Sequence, residues 1–276
     1  MELLVVIAII GILSSIILVS YNGYTDKARL AKTLSWAGSI NHSLGDRAVG
    51  VWTFDNITGA TVNDDSGNNN NGTAYGGPAV VNGVIGKALS FDGVNDYVKS
   101  VSTVNLLGSS NDITISMWVK PGGSQKQYAD LFDANHGAIC NFVVQQNSTN
   151  LNLFGFGYRK GDNSGWSNAG DKTTQLATNI WQHFVIIKSG TNIDHYLNGV
   201  KNGATFTVSD DGTIYKVATY WKIGDWVAGD TGRAFNGSID DVRIYSAALT
   251  QAQIQQYYAD GLKIHQNLAV CNSMSF

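Results

Sequence analysis

Hydrophobic and polar positions divide the chain into two parts with different periods. Residues Leu3–Val19 (LLVVIAIIGILSSIILV) form a run of 17 residues without a charged side chain. Beyond this run, apolar residues recur every three or four positions, as on one face of a helix: Leu30, Leu34, Ala37, Ile40 and Leu44. The pattern predicts one long N-terminal α-helix over residues 1–46, hydrophobic first and amphipathic later. Its apolar part is about 25 Å long, just enough to span a bilayer.

From residue 47 onward, short segments rich in branched and aromatic residues alternate with glycine, asparagine and aspartate. Such segments are typical of β-strands joined by turns. Without helical patterns between them, they favour an antiparallel two-sheet β-sandwich (jelly roll) over residues 47–260. The clearest strands are predicted at residues 49–54, 88–91, 97–101, 113–119, 180–188, 193–197, 220–223 and 239–245.

One helix signal closes this domain. Thr250 is followed three positions later by Gln253, which is a capping-box pattern, and apolar side chains come next. We therefore predict a short C-terminal helix over about residues 251–259 and a tail over residues 261–276. The predicted fold class is α+β, with the long N-terminal helix, the β-sandwich and the short C-terminal helix in that order.

Glu2 is the only glutamate of the chain and stands at the start of the apolar run. Because a carboxylate removed from water is costly, it needs an interface, a cation or a proton. Lys27, the nearest cation along the chain, is too distant on a continuous helix to pair with it. Three interpretations remain. Glu2 lies among lipid headgroups, it favours the positive end of the helix dipole, or its partner belongs to another copy of the chain.

The segment MELLVVIAIIGILSSIILVSYNGYTDKAR resembles the N-terminal helix of type IV pilins and pseudopilins. In that family the mature chain normally begins a few residues before the glutamate, with a methylated amine, whereas here only Met1 precedes Glu2. The resemblance implies that Glu2 neutralises the N-terminal amine of a neighbouring subunit. It also implies that residues 3–19 insert into the membrane before a pilus assembly machinery builds a helical homopolymer.

Six phrases in the second part resemble a laminin G-like, concanavalin A-like jelly-roll module, and they occur in the same order along residues 48–258. They are VWTFD at 51–55, DDSGN with NGT at 64–73, GKALSFDG with DYV at 86–98, ISMWVKP at 115–121, YLNG at 196–199 and FNGSIDDVRIY at 235–245. The resemblance implies a domain that binds glycans or proteins, often with a structural calcium ion.

Asp64 and Asp240 are the predicted calcium ligands. Asp64 lies in an asparagine-rich loop and Asp240 lies in the strand expected to close the sandwich. Calcium takes six to eight oxygen ligands, which carboxylates, amides and turn carbonyls supply. The alternative is that Asp64 makes an Asx-turn and that Asp240 caps backbone amides.

Four aromatic residues are predicted to form a glycan-binding patch: Tyr158, Trp166, Trp221 and Trp226. Trp166 and Trp226 lie in glycine-containing polar segments, where a tryptophan has little core to enter. The alternative is that they pack over a sheet edge or against a neighbouring subunit. Trp52, Trp118 and Trp181 stand in alternating strand patterns and are predicted to be core.

Catalysis and nucleic-acid binding have no support in the sequence. Glucanases of similar fold use paired glutamates, and the single glutamate lies far from the predicted sandwich strands. The five histidines form no metal or nucleophile motif. A net charge of −3 provides no basic field for phosphates. We therefore predict that the chain is not an enzyme.

Cys140 and Cys271 are the two cysteines, and a disulfide between them would tie the tail to the sandwich in an extracellular protein. Two free thiols are the alternative.

Taken together, the sequence predicts a structural subunit of an extracellular type IV pilus-like filament, with helices in the core and β-sandwich heads that serve adhesion or glycan binding on the surface. The alternative is a minor pilin, a pseudopilin or a membrane-anchored lectin-like module.

Overall fold

Two antiparallel β-sheets make up most of the part of the chain that the structure describes. The computed structural model describes residues 47–273, except 124, 137–138, 147–152, 218 and 227–230, and gives no side-chain description for 136, 139–140, 168–173, 231 and 263–273. The strands in this part are β1 Ala48–Trp52, β2 Ile57–Thr58, β3 Thr61–Val62, β4 Gly72–Tyr75, β5 Ala79–Asn82, β6 Lys87–Asp92, β7 Tyr97–Ser100, β8 Ile113–Pro121, β9 Asp130–His136, β10 Ile139–Gln146, β11 Leu153–Arg159, β12 Trp166–Gln175, β13 Gln182–Ser189, β14 Asn192–Leu197, β15 Val200–Lys201, β16 Phe206–Thr207, β17 Tyr220–Ile223 and β18 Asn236–Tyr245. A 3₁₀ turn lies at Thr231–Arg233 and one α-helix, α1, at Gln251–Ser273.

The strands divide equally between the two sheets. Sheet A has the order β15-β14-β13-β8-β18-β6-β5, with β1 also paired to β18 and β16 to β14. Sheet B has the order β12-β11-β10-β9-β17-β7-β4-β3-β2. Strands distant in sequence are neighbours in both sheets, as for β8 beside β18 and β9 beside β17. The predicted jelly-roll sandwich is confirmed.

The predicted α+β class is wrong. The described chain is nearly all β-sandwich, and its one α-helix, α1, lies at the C-terminus. The long N-terminal helix that carried the prediction falls on residues 1–46, which lie outside the described residues together with Glu2. Among the helices that are described, none combines the length and apolar character needed to cross a bilayer.

An aromatic ladder fills the space between the sheets. We use this name for Trp52, Trp221, Phe132, Phe142, Phe156 and Tyr158, all at most 1% exposed. Neighbouring ring centroids along this series are separated by 4.3, 6.3, 5.9, 6.2 and 6.1 Å. Large aromatic side chains dominate core energetics because each buries 150–250 Å² or so. The ladder therefore fixes which face of sheet B points inward.

Helix α1 covers the outer face of sheet A. Its start matches the predicted capping box, since the Thr250 N–H donates to Gln253 Oε1 at 2.7 Å and the Gln253 N–H donates to Thr250 Oγ1 at 3.4 Å. The helix continues to Ser273, well beyond the predicted end at 259. Tyr258 stacks on Trp118 at 5.6 Å, and Gly261 permits this approach because a Cβ there would lie 2.7 Å from the Trp118 ring. Trp118 is thus buried beneath α1 rather than between the sheets.

His183 lies under the same helix. Its ring is 6.1 Å from Tyr258 and Nε2 is 2.9 Å from Ser116 Oγ, while Nδ1 has no hydrogen-bond partner within the described part of the chain. Burial, reinforced by the nearby charge of Arg243, lowers the pKa of His183 to about 3. The imidazole is therefore neutral in the folded protein over the whole range in which a free histidine titrates.

This burial predicts an acid-sensitive stability. Below about pH 6.5 the unfolded chain protonates His183 while the folded chain does not, so folding loses up to about 1.4 kcal/mol per pH unit as the pH falls. In His183→Gln this contribution is absent. We expect the free energy of unfolding, measured by urea titration, to fall about 1 to 2 kcal/mol less in the variant than in the wild type between pH 6.5 and 5. Equal losses in both proteins would contradict this assignment.

Candidate functional site

The outer face of sheet B carries charged and polar side chains that are nonetheless buried. In β9, Phe132 belongs to the core and Asp133 is the next residue, so the two point to opposite faces. Asp133 lies opposite Lys222 of β17, whose neighbour Trp221 is in the ladder. We call this group the polar face: Asp130, Asp133, Asn135, Lys222 and Asp225, each at most 3% exposed.

A register shift brings Asp130 onto the same face. Val144 pairs with Phe132, whereas the next residue, Gln145, pairs with Asp130, so that Leu131 is the extra residue of a bulge. Charges of the polar face and of Arg233 act on the Asp130 carboxyl, which places all of them within electrostatic range. The bulge therefore adds a second carboxyl group next to Asp133.

Several atoms of the polar face lack hydrogen-bond partners among the residues that the structure describes. They are both carboxyl oxygens of Asp130, the amide oxygen and nitrogen of Asn135, and Oδ1 of Asp225. Buried polar atoms are nearly always hydrogen-bonded, so each of these requires an explanation. Oδ2 of Asp225, by contrast, is 3.2 Å from the Lys222 ammonium. The face thus presents both unused acceptors and an unused donor.

Burial shapes the ionisation of this group. Desolvation, followed by the charge of Asp133, raises the pKa of Asp130 well above its ordinary value. Desolvation also raises the pKa of Asp225, against the opposing charge of Lys222, and lowers the pKa of Lys222. Perturbed groups that cluster on one face are a feature of functional sites. Asp130 holds its proton to higher pH than a solvated aspartate and, when protonated, can donate as well as accept.

Four aromatic residues surround the polar face, and we call them the aromatic rim: Tyr75, Tyr97, Tyr128 and Trp226. The Lys222 ammonium lies 3.7 Å from the Tyr97 ring centroid, and Tyr97 stacks on Tyr75 at 5.0 Å. On the other side, Arg233 lies 3.9 Å from the Trp226 ring and 5.2 Å from the Tyr128 ring. Tyr75 and Tyr128 are 45% and 37% exposed, so part of the rim is open to solvent.

The structure separates the four aromatic residues predicted to form one patch. Trp226 belongs to the rim, half-buried against Arg233. Trp221 and Tyr158 are fully buried in the aromatic ladder, so their prediction as surface ligand contacts is wrong. The alternating pattern of their strands points these side chains inward. Trp166 begins β12 and lies over Gly157 of β11, where a Cβ would come within 2.7 Å of the indole.

Sequence reasoning missed the polar face itself. Asp130, Asp133 and Asn135 gave β9 the appearance of a loop, although the alternation with Phe132 and Ala134 was present. Of the predicted core tryptophans, Trp181 is only half-buried, with the Lys120 ammonium 5.3 Å from its ring. In both cases burial depended on neighbours that are distant in sequence.

The predicted calcium ligands adopt the contacts of the alternative interpretation. Oδ1 of Asp64 accepts the N–H groups of Val51 and Ser66, both at 2.9 Å, and Oδ2 accepts that of Asn70 at 2.9 Å. Oδ2 of Asp240 accepts the Val84 and Ile85 N–H groups at 2.7 and 3.0 Å.

These contacts do not fit a shared calcium ion. Both oxygens of Asp64 are already used, and burial raises the pKa of Asp240 to about 8 despite its two N–H donors. Oδ1 of Asp240 has no hydrogen-bond partner among the residues that the structure describes. In the described part of the chain no three acidic, histidine or cysteine side chains are grouped to hold a metal. Calcium binding therefore stays a prediction without a donor set.

The predicted disulfide lies outside the side chains that the structure describes. Cys140 and Cys271 fall in β10 and α1, but only their backbone is described. The bond stays a prediction, as does the absence of catalysis.

Comparison with known proteins identifies the domain. Residues 92–255 match the family model Laminin_G_3, described as the concanavalin A-like lectin/glucanases superfamily. The chain belongs to this family. Fimbrial protein EcpC of Eikenella corrodens is 33% identical over 134 residues, which is 46% of this chain and 82% of that protein. The laminin G-like resemblance is confirmed, whereas the pilin-like helix is not among the described residues.

Two solved structures show the same fold. The binding domain of Paraclostridial Mosquitocidal Protein 1 matches 79% of this laminin G-like chain with a TM-score of 0.60 and 17% identity, and this chain spans 53% of that domain. The second structure is domain 4 of AbnA, an extracellular arabinanase of Geobacillus stearothermophilus, in complex with arabinotriose. It matches 76% of this chain with a TM-score of 0.55 and 23% identity, and the match covers 97% of that domain. The chain therefore has the jelly-roll fold of these two structures and spans about half of the toxin domain.

The raised pKa of Asp130 predicts a measurable pH dependence. The unfolded chain releases this proton near pH 3.8, but the folded chain keeps it to higher pH, so the wild type loses stability as the pH rises through that window. Asp130→Asn does not titrate there. We expect the variant to gain about 1 to 3 kcal/mol of unfolding free energy relative to the wild type between pH 4 and 8, measured by urea titration. Asp65→Asn, at an exposed loop position, is the control, and an unchanged difference in Asp130→Asn would contradict the assignment.

Proposed function

We propose that the polar face and aromatic rim of this laminin G-like domain form a glycan-binding site. The observation that carries the proposal is the set of buried atoms on Asp130, Asn135 and Asp225 that have no hydrogen-bond partner among the described residues. A sugar hydroxyl both donates and accepts a hydrogen bond, so adjacent hydroxyls match this buried group of side chains, which offers an amide donor beside carboxyl acceptors. Binding sites commonly combine such converging polar groups with apolar and aromatic walls.

The rim supplies those walls. Tyr75 and Tyr128 are partly exposed, and Trp226 is half-buried with Arg233 against one side of its ring. Aromatic rings can stack on the apolar faces of sugar rings while the polar face bonds their hydroxyls. The complex of the related fold in AbnA domain 4 with arabinotriose supports a carbohydrate as the ligand class.

Other ligand classes fit less well. The polar face carries three carboxyl groups against the single ammonium of Lys222, with the Arg233 guanidinium beside it. A strongly anionic ligand would meet these carboxyl groups directly, and a divalent cation would meet Lys222 at 3.2 Å from Asp225. A neutral, hydroxyl-rich ligand encounters neither repulsion.

We further propose that the chain presents this site on an extracellular filament. The similarity to a fimbrial protein over 82% of that protein's length supports this setting. The apolar run Leu3–Val19 would hold the subunit in the membrane before assembly and pack against its neighbours afterwards, and Glu2 would pair with an amine of the next subunit. An unpaired carboxylate in that setting penalises misaligned neighbours and so selects one register.

Glycan binding is testable on an array of oligosaccharides that includes arabinotriose. The full chain, in a detergent without a sugar headgroup, is expected to bind at least one glycan. Trp226→Ala and Asn135→Ala are each expected to weaken that binding about tenfold or more, a loss of about 1.4 kcal/mol, because they remove a wall and the unused amide. Ile180→Ala, at a site 57% exposed and outside the polar face and rim, is the control.

The glycan proposal fails if the wild type binds no glycan, or if both site variants bind as well as the control. Circular dichroism of each variant distinguishes lost binding from lost folding.

Filament formation is testable by electron microscopy of surface material sheared from cells that produce the chain. We expect fibres composed mostly of this chain in the wild type and a strong reduction in Glu2→Gln, because the amide cannot neutralise an amine. Asp26→Asn, which alters an acid beyond the apolar run, is the control. Normal fibre yield in Glu2→Gln would contradict the pairing role. Absence of fibres in the wild type would instead favour a minor subunit or a membrane-anchored module.

A further inference from the structure

A small pocket lies near the start of β12, separate from the polar face. Its volume is about 140 Å³, and it shares no lining residue with the polar face or the aromatic rim. We call it the Asp210 pocket, lined by Lys160, Trp166, Ser167, Phe206, Val208, Ser209 and Asp210. A cavity of about 150 Å³ in another protein binds one benzene molecule, so the volume here suits an occupant the size of one small ring.

The carboxylate of Asp210 is held in one orientation. Its Oδ1 accepts the Tyr158 hydroxyl at 2.6 Å and the Gly212 N–H at 2.8 Å, and the Ser167 hydroxyl also bonds the side chain. Burial alone would raise the pKa of Asp210, but these hydrogen bonds and the charge of Lys160 outweigh it and lower the pKa. Asp210 is therefore a carboxylate at neutral pH, with an orientation fixed before any ligand arrives.

The side chains that hold Asp210 in place extend into the core. Tyr158 is fully buried in the aromatic ladder, and only its hydroxyl reaches the carboxylate. The fully buried Lys188 has its ammonium 5.3 Å from the centroid of the Tyr158 ring, and it donates to the carbonyls of Asn111 at 3.0 Å, Gly190 at 2.8 Å and Gly212. These bonds tie the turn that carries Asp210 to two other loops. Preorganisation of this kind reduces the ordering cost of binding.

Trp166 forms an aromatic wall of the pocket. Its indole lies against Gly157, where any side chain would collide with the ring. Lys160 stands at the same pocket, and its charge acts on Asp210. The pocket therefore combines an aromatic surface, a fixed acceptor and a cationic donor within the space of one small ring.

We propose that the Asp210 pocket binds a single pyranose or furanose residue with two adjacent free hydroxyls, as a second subsite of the glycan-binding domain. One hydroxyl donates to the Asp210 carboxylate, its neighbour accepts from Lys160, and the ring packs on Trp166. This inference rests on the proposed glycan binding of the domain but uses different residues, so the two are separable by experiment.

The test uses a panel of methyl glycosides of glucose, galactose, mannose and arabinose, with saturation-transfer NMR and calorimetry on the full chain in the same detergent. At least one methyl glycoside is expected to bind the wild type. Asp210→Asn keeps the size of the side chain but removes an anionic acceptor, and affinity is expected to fall about tenfold or more. Ser209→Tyr, introduced from an exposed position, would fill the pocket without disturbing the core and is expected to abolish binding. Asp211→Asn, the exposed neighbour, is the control.

The outcomes separate this subsite from the polar face. Loss of methyl glycoside binding in Asp210→Asn and Ser209→Tyr, with retention in Asp211→Asn and in Ile180→Ala, supports the subsite. If the panel binds the wild type and both pocket variants equally, or binds none of them while the oligosaccharide array still binds through Trp226, the subsite is wrong and the proposed function stands. If binding of methyl glycosides is lost in Asp210→Asn but binding to the array is unchanged in Trp226→Ala and Asn135→Ala, the subsite stands and the polar-face site is wrong.

Discussion

The two-residue period of sheet B is the constraint on which the rest of the structure depends. Trp221, Phe132, Phe142 and Phe156 occupy inward positions on adjacent strands, and their rings pack in series between the sheets. The residues that alternate with them along the same strands are consequently directed outward, whatever their polarity, apart from Leu131 at the bulge of β9. Asp133 and Lys222 face away from the core for this reason. A shift of one residue in β9 would exchange Phe132 with Asp133 and place a carboxylate in the ladder, so the core and the polar face specify each other's register.

Sequence patterns predicted the sandwich because eight of its strands satisfy local rules: β1, β6, β7, β8, β13, β14, β17 and β18. Ile113, Ile115, Met117 and Val119 of β8 lie in the core at alternate positions, and the capping box of Thr250 and Gln253 forms as predicted. Strands β9 to β12 were not recognised, since Asp130, Asp133 and Asn135 resemble loop residues and Gly155 and Gly157 resemble turn residues. The end of α1 was also misplaced, because a capping box marks where a helix begins and carries no signal for where it ends. Propensity gives way to tertiary context at these places.

The candidate site was less predictable than the fold for a related reason. Tryptophans are candidate ligand contacts in a sequence, but their exposure depends on which face of a strand they occupy and which other elements cover that face. Trp221 is in the core while Trp226, five residues later, lies at the rim. The decisive residues of the polar face are ordinary aspartates and an asparagine, and their lack of partners becomes visible only when β9 and β17 are placed side by side.

The outer faces of the two sheets are covered by different elements, and this determines which residues can vary without loss of the fold. Helix α1 seals the outer face of sheet A through Trp118 and Tyr258, so substitutions there act on folding. Tyr128 and Trp226 instead lie between strands, outside the aromatic ladder. Loops at these two positions can change in length and composition while the ladder keeps its packing. The rim residues of the proposed site are thereby distinct from the residues that hold the sandwich together, so substitutions in the rim leave the scaffold intact.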